Sequence, residues 1–172
     1  KCLPLHCACD KGNDEIVSKL LEAYPKGTRM KDKYGDLPIH CASRQGNDKV
    51  VSLLLEAYPD GAKMKNENGE LPIHIASEQG NDKVLSMLLE AYLDGAKMKN
   101  DENGFLPIHK ACRKGHDKVV SMLLEAYQDG AKTKSRGKNL PIHFGCQRGN
   151  DKVVSMLLDA YPDGAKTKAK HG

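Results

Sequence analysis

Apolar residues along the chain recur at the spacing of amphipathic helices, and this pattern breaks and restarts every 34 or 35 residues. The stretch between positions 48 and 58 shows it most clearly. Val50, Val51, Leu54, Leu55 and Tyr58 recur there at helical spacing. This spacing places the side chains on one face of an α-helix. The pattern therefore predicts a helix with a single buried stripe, preceded by a shorter helix.

Helix boundaries are marked by residues with known backbone preferences. Pro38 suits the first position of a helix, where a missing N–H has no cost, and Gly46 suits the left-handed residue that ends one. Asn47 can cap the next helix, and Pro59 stops that helix because proline cannot continue it. The polar stretch 63–70 predicts a loop or short hairpin. Each unit is therefore predicted to contain two helices and a connection.

The same organisation occurs five times. A Leu-Pro-(Ile/Leu)-His segment begins at Leu3, Leu37, Leu71, Leu106 and Leu140. The units that follow are 3–36, 37–70, 71–105, 106–139 and 140–172. One unit cannot bury its apolar stripe alone, whereas stacked units can. We therefore predict an all-α fold, an α-solenoid of five helix-turn-helix repeats that spans residues 1–172 as one array. Because the chain stops in repeat register, we expect it to be part of a longer chain.

Several motifs in each unit resemble those of the ankyrin repeat family. The family's Thr-Pro-Leu-His-x-Ala start corresponds to residues 37–42, its Val-Val-x-x-Leu-Leu core to 50–55, and its Gly-Ala pair to 61–62. The resemblance implies stacked helix pairs, a role in binding proteins, and a structural histidine that bonds nearby backbone. One departure is that leucine replaces the threonine in all five units. Leucine cannot cap a helix, so capping of the first helices needs another explanation.

Composition and charge narrow the functional classes only slightly. The formal net charge of +4 is too small to indicate nucleic-acid binding by itself. No apolar run is long enough to span a bilayer, and no signal peptide is recognisable at the start. The six cysteines follow the repeat register, which is typical of reduced, buried thiols. We expect an intracellular protein, either cytoplasmic or nuclear.

Two kinds of candidate metal ligand recur along the chain. One histidine per unit forms a row comprising His6, His40, His74, His109 and His143. A metal-binding row is one interpretation, but no second ligand lies at metal-site spacing, so a structural role is favoured. Cys2, Cys7 and Cys9 could form a thiolate cluster, although Cys9 occupies a position that holds small residues in every unit. No catalytic triad or phosphate-binding loop is recognisable, so we expect no enzyme activity, no cofactor and no small-molecule substrate.

Pairs of basic residues follow the Gly-(Ala/Thr) segment of each unit. They are Arg29 and Lys31, Lys63 and Lys65, Lys97 and Lys99, Lys132 and Lys134, and Lys166 and Lys168. Stacking would line them up as a lysine ladder along one edge. This ladder could attract nucleic acid or an anionic membrane. The simpler interpretation is a solvated edge, because acidic residues such as Asp60 and Asp94 lie close by.

Residues that differ between units are free to recognise a partner, because shared residues build the scaffold. The differing positions lie at the tips between units, at the ends of the first helices and directly after each histidine. As candidate protein-binding residues we select Tyr34, Asp36, Arg44, Glu67, Glu70, Glu78, Phe105, Lys110, Arg113, Lys114, Arg136, Lys138, Phe144, Gln147 and Arg148. We therefore predict a protein–protein interaction module or scaffold whose partner the sequence does not name. The alternatives are an electrostatic binder of nucleic acid or membrane, or a structural subunit of a large assembly.

The candidate positions change character along the array. Acidic residues dominate the middle and basic residues dominate the last part, where the only two phenylalanines, Phe105 and Phe144, also lie. Aromatic anchors within an arginine-rich rim are typical of interfaces. We expect the main protein-binding patch to extend from Phe105 to Arg148. The alternative is that Phe144 packs between repeats.

Overall fold

The computed structural model describes residues 2–169, in which ten α-helices form five successive pairs. Their bounds are α1 Pro4–Lys11, α2 Asp14–Ala23, α3 Pro38–Gln45, α4 Asp48–Ala57, α5 Pro72–Gln79, α6 Asp82–Ala91, α7 Pro107–Lys114, α8 Asp117–Ala126, α9 Pro141–Arg148 and α10 Asp151–Ala160. A 3-10 helix follows each second helix, at Pro25–Arg29, Pro59–Lys63, Leu93–Lys97, Gln128–Lys132 and Pro162–Lys166. Residues 2–169 contain no strand, so the connections are loops rather than β-hairpins. The prediction of an all-α array of helix pairs is confirmed.

The boundary residues act as their chemistry predicts. Pro38 is the first residue of α3, and Gly46 ends that helix with a φ of 76°, in the left-handed region that glycine tolerates. The side-chain oxygen of Asn47 accepts a hydrogen bond from the backbone N–H of Val50 (3.1 Å), which caps α4. Pro59 begins a 3-10 helix, so the chain turns directly after Tyr58.

Helices stack in two layers. The first helices (α1, α3, α5, α7 and α9) pack against one another, and the second helices (α2, α4, α6, α8 and α10) do the same. The core lies between the layers and continues through all five pairs. Val50, Val51 and Leu54 are fully buried there, while Leu55 and Tyr58 are half-buried. Complete burial of such side chains contributes roughly 1.5–3 kcal/mol each, so each pair depends on its neighbours for stability.

The repeated histidine supplies the cap that leucine cannot. Nδ1 of His40 accepts a hydrogen bond from the backbone N–H of Leu37 (3.0 Å). Nδ1 therefore carries no proton, and Nε2–H donates to the backbone carbonyl of Glu70 (3.2 Å). His74, His109 and His143 bond backbone through both ring nitrogens in the same way. In these four units both ring nitrogens are engaged by the protein itself, which supports the structural interpretation over a metal-binding one, and His6 bonds the backbone carbonyl of Asp36 (3.1 Å) through Nε2.

Side chains at the start of the second helices tie successive repeats together. Each of these side chains donates a hydrogen bond to a backbone carbonyl: Asn47 to Gly12 (2.6 Å), Asn81 to Ser43 (2.9 Å), His116 to Glu78 (3.0 Å) and Asn150 to Gly115 (2.9 Å). Each bond satisfies a carbonyl near the end of a first helix in the preceding unit, where helices lack internal partners. The residue directly before each of these four second helices therefore links its unit to the preceding one by a hydrogen bond.

Within residues 2–169, no helix combines the length and the apolar character that crossing a membrane requires.

Candidate protein-binding surface

Tips between the units are rigid, and each bonds to the next. The side-chain oxygen of Asn66 accepts hydrogen bonds from the backbone N–H groups of Asn68 (3.0 Å) and Glu70 (2.9 Å), which closes the tip. Three backbone hydrogen bonds link successive tips, from Glu67 N to Tyr34 O (3.3 Å), from Asp101 N to Asn68 O (3.1 Å) and from Arg136 N to Asn103 O (3.0 Å). The tips therefore form one fixed edge that displays the side chains between these bonds.

The candidate residues divide into three groups by exposure. Eight are exposed: Tyr34, Arg44, Glu67, Lys114, Arg136, Lys138, Gln147 and Arg148. Three are half-buried: Glu70, Glu78 and Arg113. Four are buried: Asp36, Phe105, Lys110 and Phe144. Only the exposed group and the edges of the half-buried group can contact a partner in this conformation.

Phe105 and Phe144 are not exposed aromatic anchors, which corrects the expectation from the sequence. Each is 8% exposed, and their rings meet edge to face with centroids 5.2 Å apart. Phe105 also stacks on the ring of His109, with centroids 5.5 Å apart, and the guanidinium carbon of Arg113 lies 5.5 Å from the centroid of the Phe105 ring. The position after each histidine faces the preceding unit, so Phe144 packs between repeats. This arrangement matches the alternative interpretation of Phe144.

Lys110 occupies the same position in the preceding unit and is also buried, at 4% exposure. Its ammonium group donates to the carboxylate of Glu78 (2.7 Å) and forms a second ion pair with Glu70. Glu78 also accepts from Arg113 (2.7 Å), and Lys114 lies 3.8 Å away. The predicted separation into an acidic middle and a basic end is therefore wrong for these residues, because they neutralise one another between α5 and α7.

This cluster fixes the protonation state of Glu78. Burial works to raise the pKa of that carboxyl, but the hydrogen bonds and positive charges of Lys110 and Arg113 outweigh it. The net effect is a lowered pKa, so Glu78 stays ionised at neutral pH. Breaking such a buried pair from one side leaves an uncompensated charge, which is strongly destabilising.

Asp36 is a second candidate that the structure assigns to the scaffold. It is 3% exposed and accepts hydrogen bonds from Arg44 (2.7 Å) and from the side-chain amide of Asn66 (2.8 Å). Asn66 belongs to the next unit, so this contact joins two repeats. The exposed part of Arg44 stays available, whereas the carboxylate of Asp36 does not.

Asp32, Asp36 and Cys41 are the one group of possible metal ligands whose donor atoms converge, within 4.8 Å, in the described part of the chain. Asp36 is already bonded to Arg44 and Asn66, and Asp32 accepts from the backbone N–H groups of Tyr34 and Asp36. Burial raises the pKa of the Cys41 thiol. These bonds explain the cluster without a cation.

Cysteines near the N-terminus do not converge as one thiolate cluster. Cys9 is fully buried, and burial raises its pKa to about 12. Cys2 and Cys7 are exposed, with their sulfur atoms 3.2 Å apart. The hydrogen bond to Cys7 raises the pKa of Cys2 to about 11, which disfavours a thiolate there.

The lysine ladder is largely bound by the array itself. Four of its residues pair with an aspartate three positions earlier, as Lys63–Asp60, Lys97–Asp94, Lys132–Asp129 and Lys166–Asp163. The second basic residue of a unit can reach the next unit. Lys31 donates to the backbone carbonyl of Lys65 (2.9 Å), and Lys99 donates to that of Lys134 (2.8 Å). Lys65 pairs with Asp101 (2.8 Å). Much of the ladder is therefore compensated or structural.

Shared residues thus build a two-layered helical repeat scaffold, and the exposed variable residues lie on its tips and first-helix ends. These features define the chain as a helical repeat solenoid. A family model of ankyrin repeats matches it three times, at residues 1–64, 58–136 and 92–171. The chain belongs to the ankyrin repeat family. Repeats of this family are general modules of protein–protein interaction. A comparison with curated proteins gives no match.

Proposed function

We propose that this array is a scaffold that binds a protein partner through its tips and the exposed ends of its first helices. One observation carries the proposal. Residues that recur in every unit are used in the core, in the histidine caps and in bonds between repeats, whereas eight variable candidates stay exposed. A partner can contact these exposed residues, and their identity can differ from unit to unit because the scaffold does not require one residue type there.

The bonding of the tips to one another supports this role. Backbone hydrogen bonds join each tip to the next, so the array positions the backbone that carries exposed side chains such as Tyr34, which is 60% exposed, and Arg136. A surface ordered before binding loses less conformational entropy on association. Tyrosine and arginine are also the residue types that most often dominate interface energetics.

The electrostatic alternative has less support. Binding of nucleic acid or of an anionic membrane would need a row of free cations, but five of the ten ladder residues pair with aspartates within the array. The buried histidines and thiols are likewise committed to the scaffold, so we infer no catalytic role for this array.

A capture experiment with two matched variants tests the proposal. In the surface variant, alanine replaces the eight exposed candidates Tyr34, Arg44, Glu67, Lys114, Arg136, Lys138, Gln147 and Arg148. In the control variant, alanine replaces eight exposed residues of the second helices and the turns after them, Lys19, Lys49, Lys83, Glu90, Leu93, Lys118, Gln128 and Lys152. Each variant removes five cations, one anion and two uncharged side chains.

The immobilised arrays are exposed to lysate, and the proteins retained at two salt concentrations are compared by quantitative mass spectrometry. We expect proteins held by the unmodified array to remain on the control variant and to be lost from the surface variant at both salt concentrations. Equal retention by both variants would contradict the proposed surface. Retention of nucleic acid that falls steeply with salt on all three arrays would favour the electrostatic alternative.

A further inference from the structure

Positive charge is concentrated in one part of the array. Unit 106–139 contains eight Lys and Arg residues against three Asp and Glu residues, and unit 140–172 contains five against three. The preceding unit, 71–105, has the opposite balance, with three against six. The modest net charge of the whole chain therefore conceals a strongly basic region next to an acidic one.

Part of this charge is cancelled between the units. Lys110 and Arg113 are bonded to the carboxylate of Glu78, and Lys110 also pairs with Glu70. Lys132 and Lys166 pair with aspartates of their own turns. These residues contribute little to the field that a partner would meet.

Arg136 and Arg148 are held differently, and we call them the arginine pair. Nη1 of Arg136 donates to the backbone carbonyl of Glu102 (3.1 Å), and Nε of Arg148 donates to that of Arg113 (2.7 Å). A carbonyl orients a guanidinium group but leaves its full charge in place. Over residues 2–169, neither guanidinium has a carboxylate oxygen within 4.0 Å. Asp101 affects Arg136 electrostatically but is itself paired with Lys65 (2.8 Å).

The arginine pair is therefore oriented and uncompensated, and both members are exposed. Each retains terminal N–H groups in the planar fork that matches the two oxygens of a carboxylate. Arg136 lies in the tip that precedes α9, and Arg148 is the last residue of that helix, so the two arginines mark the two ends of one tip-and-helix segment.

We infer that the arginine pair binds an acidic segment of the partner protein through at least two of its carboxylates. This inference rests on the proposed function and specifies the chemistry of its partner. Lys138, two residues after Arg136, is exposed and strengthens the local positive field. A polypeptide is favoured over nucleic acid because two oriented forks suit spaced carboxylates, whereas a phosphate backbone requires many free cations in a row.

Fluorescence anisotropy tests this with three labelled probes. The first is a 12-residue Gly/Ser peptide that carries a glutamate at every second position, the second has glutamine in place of each glutamate, and the third is a 12-nucleotide oligothymidine. The test variant is Arg136→Gln with Arg148→Gln. The control is Lys132→Gln with Lys166→Gln, which removes the same charge from the same two units but takes it from cations that are paired with aspartate.

We expect the glutamate peptide to bind the unmodified array at least about tenfold more tightly than the glutamine peptide does. The arginine variant should weaken that binding by about tenfold, as expected for the loss of charge-assisted hydrogen bonds. The lysine control should weaken it less than about twofold, because its cations are compensated. Circular dichroism and urea midpoints must show that both variants fold as the unmodified array does.

Equal binding of the two peptides would overturn the inference, as would equal weakening by the two variants. Tighter binding of the oligothymidine than of the glutamate peptide would overturn it in favour of nucleic acid. Its failure can be separated from that of the proposed function. If captured proteins are lost from the eight-residue surface variant but remain on the arginine variant and resist competition by the glutamate peptide, only the acidic-segment inference is wrong.

Discussion

Replacing Lys110 with isoleucine is expected to lower the free energy of unfolding by about 3–5 kcal/mol. Isoleucine is the residue at the equivalent position of α5, Ile75, and the site is only 4% exposed, so an apolar side chain should suit its shape. The destabilisation arises because Glu70 and Glu78 lose their shared ammonium partner while their side chains stay only 12% and 20% exposed. Glu70 would then lose its cation partner in a poorly solvated site, and Glu78 would keep only Arg113 and the more distant Lys114.

Urea unfolding followed by circular dichroism measures this effect, and a second variant separates charge from packing. Adding Glu70→Gln and Glu78→Gln to Lys110→Ile should restore most of the lost stability, because the triple variant leaves no uncompensated carboxylate there. Lys114→Ile is the control, since Lys114 is 42% exposed and lies 3.8 Å from Glu78, and it should cost less than about 1 kcal/mol. If Lys110→Ile unfolds at the same urea concentration as the unmodified array, this account of the buried cluster is wrong.

Acidification from pH 7 to pH 4 is expected to destabilise the array by several kcal/mol through its buried histidines. Burial lowers the pKa of His74 to about 4 and that of His109 to about 4. The unfolded chain has histidine pKa values near 6.5. Between these pH values the unfolded state binds more protons than the folded state, so the free energy of unfolding falls as the pH falls. The contribution is fully present above about pH 6.5 and is lost by about pH 4.

Unfolding free energies at closely spaced pH values between 7 and 4.5 test this directly. Within that window most carboxylates remain ionised, so the slope reports mainly on histidine. A His74→Gln variant should be less stable at neutral pH. Its free energy of unfolding should also depend less steeply on pH, by an amount that corresponds to about one fewer proton taken up on unfolding. A stability that stays constant between pH 7 and pH 4.5 would contradict the assignment of neutral, doubly bonded imidazoles.

Helix boundaries could be predicted from the sequence because each depends on one residue with a strong local preference. Pro38, Gly46 and Asn47 act through the missing N–H, the positive φ and the side-chain acceptor, and none of these needs a distant partner. The first-helix cap could not be predicted in the same way. It requires the ring of His40 to face the N–H of Leu37 while it also bonds Glu70 of the adjoining tip, a geometry that only the stacked array defines.

The candidate surface is harder to predict from the sequence, because a residue that varies between units is not always an exposed residue. Phe105 and Phe144 vary together, as do Glu70 and Lys110, because each pair is buried in contact across two repeats. Members of the two pairs occupy the same two register positions, directly before one Leu-Pro-Ile-His segment and directly after the histidine of the following Leu-Pro-Ile-His segment. Matched aromatic or opposite-charge residues at those positions are a signal in the sequence that indicates packing rather than recognition.

The central claim is that the partner contacts the tips and first-helix ends rather than the second helices. Site-specific photocrosslinking in lysate tests it most directly, with one photoreactive residue introduced per variant. The test positions are Tyr34, Glu67, Arg136 and Arg148, and the matched exposed controls on the second helices are Glu56, Glu90, Glu125 and Lys152. We expect the same protein to crosslink at several test positions and at none of the control positions. Crosslinks mainly from the second helices would contradict it.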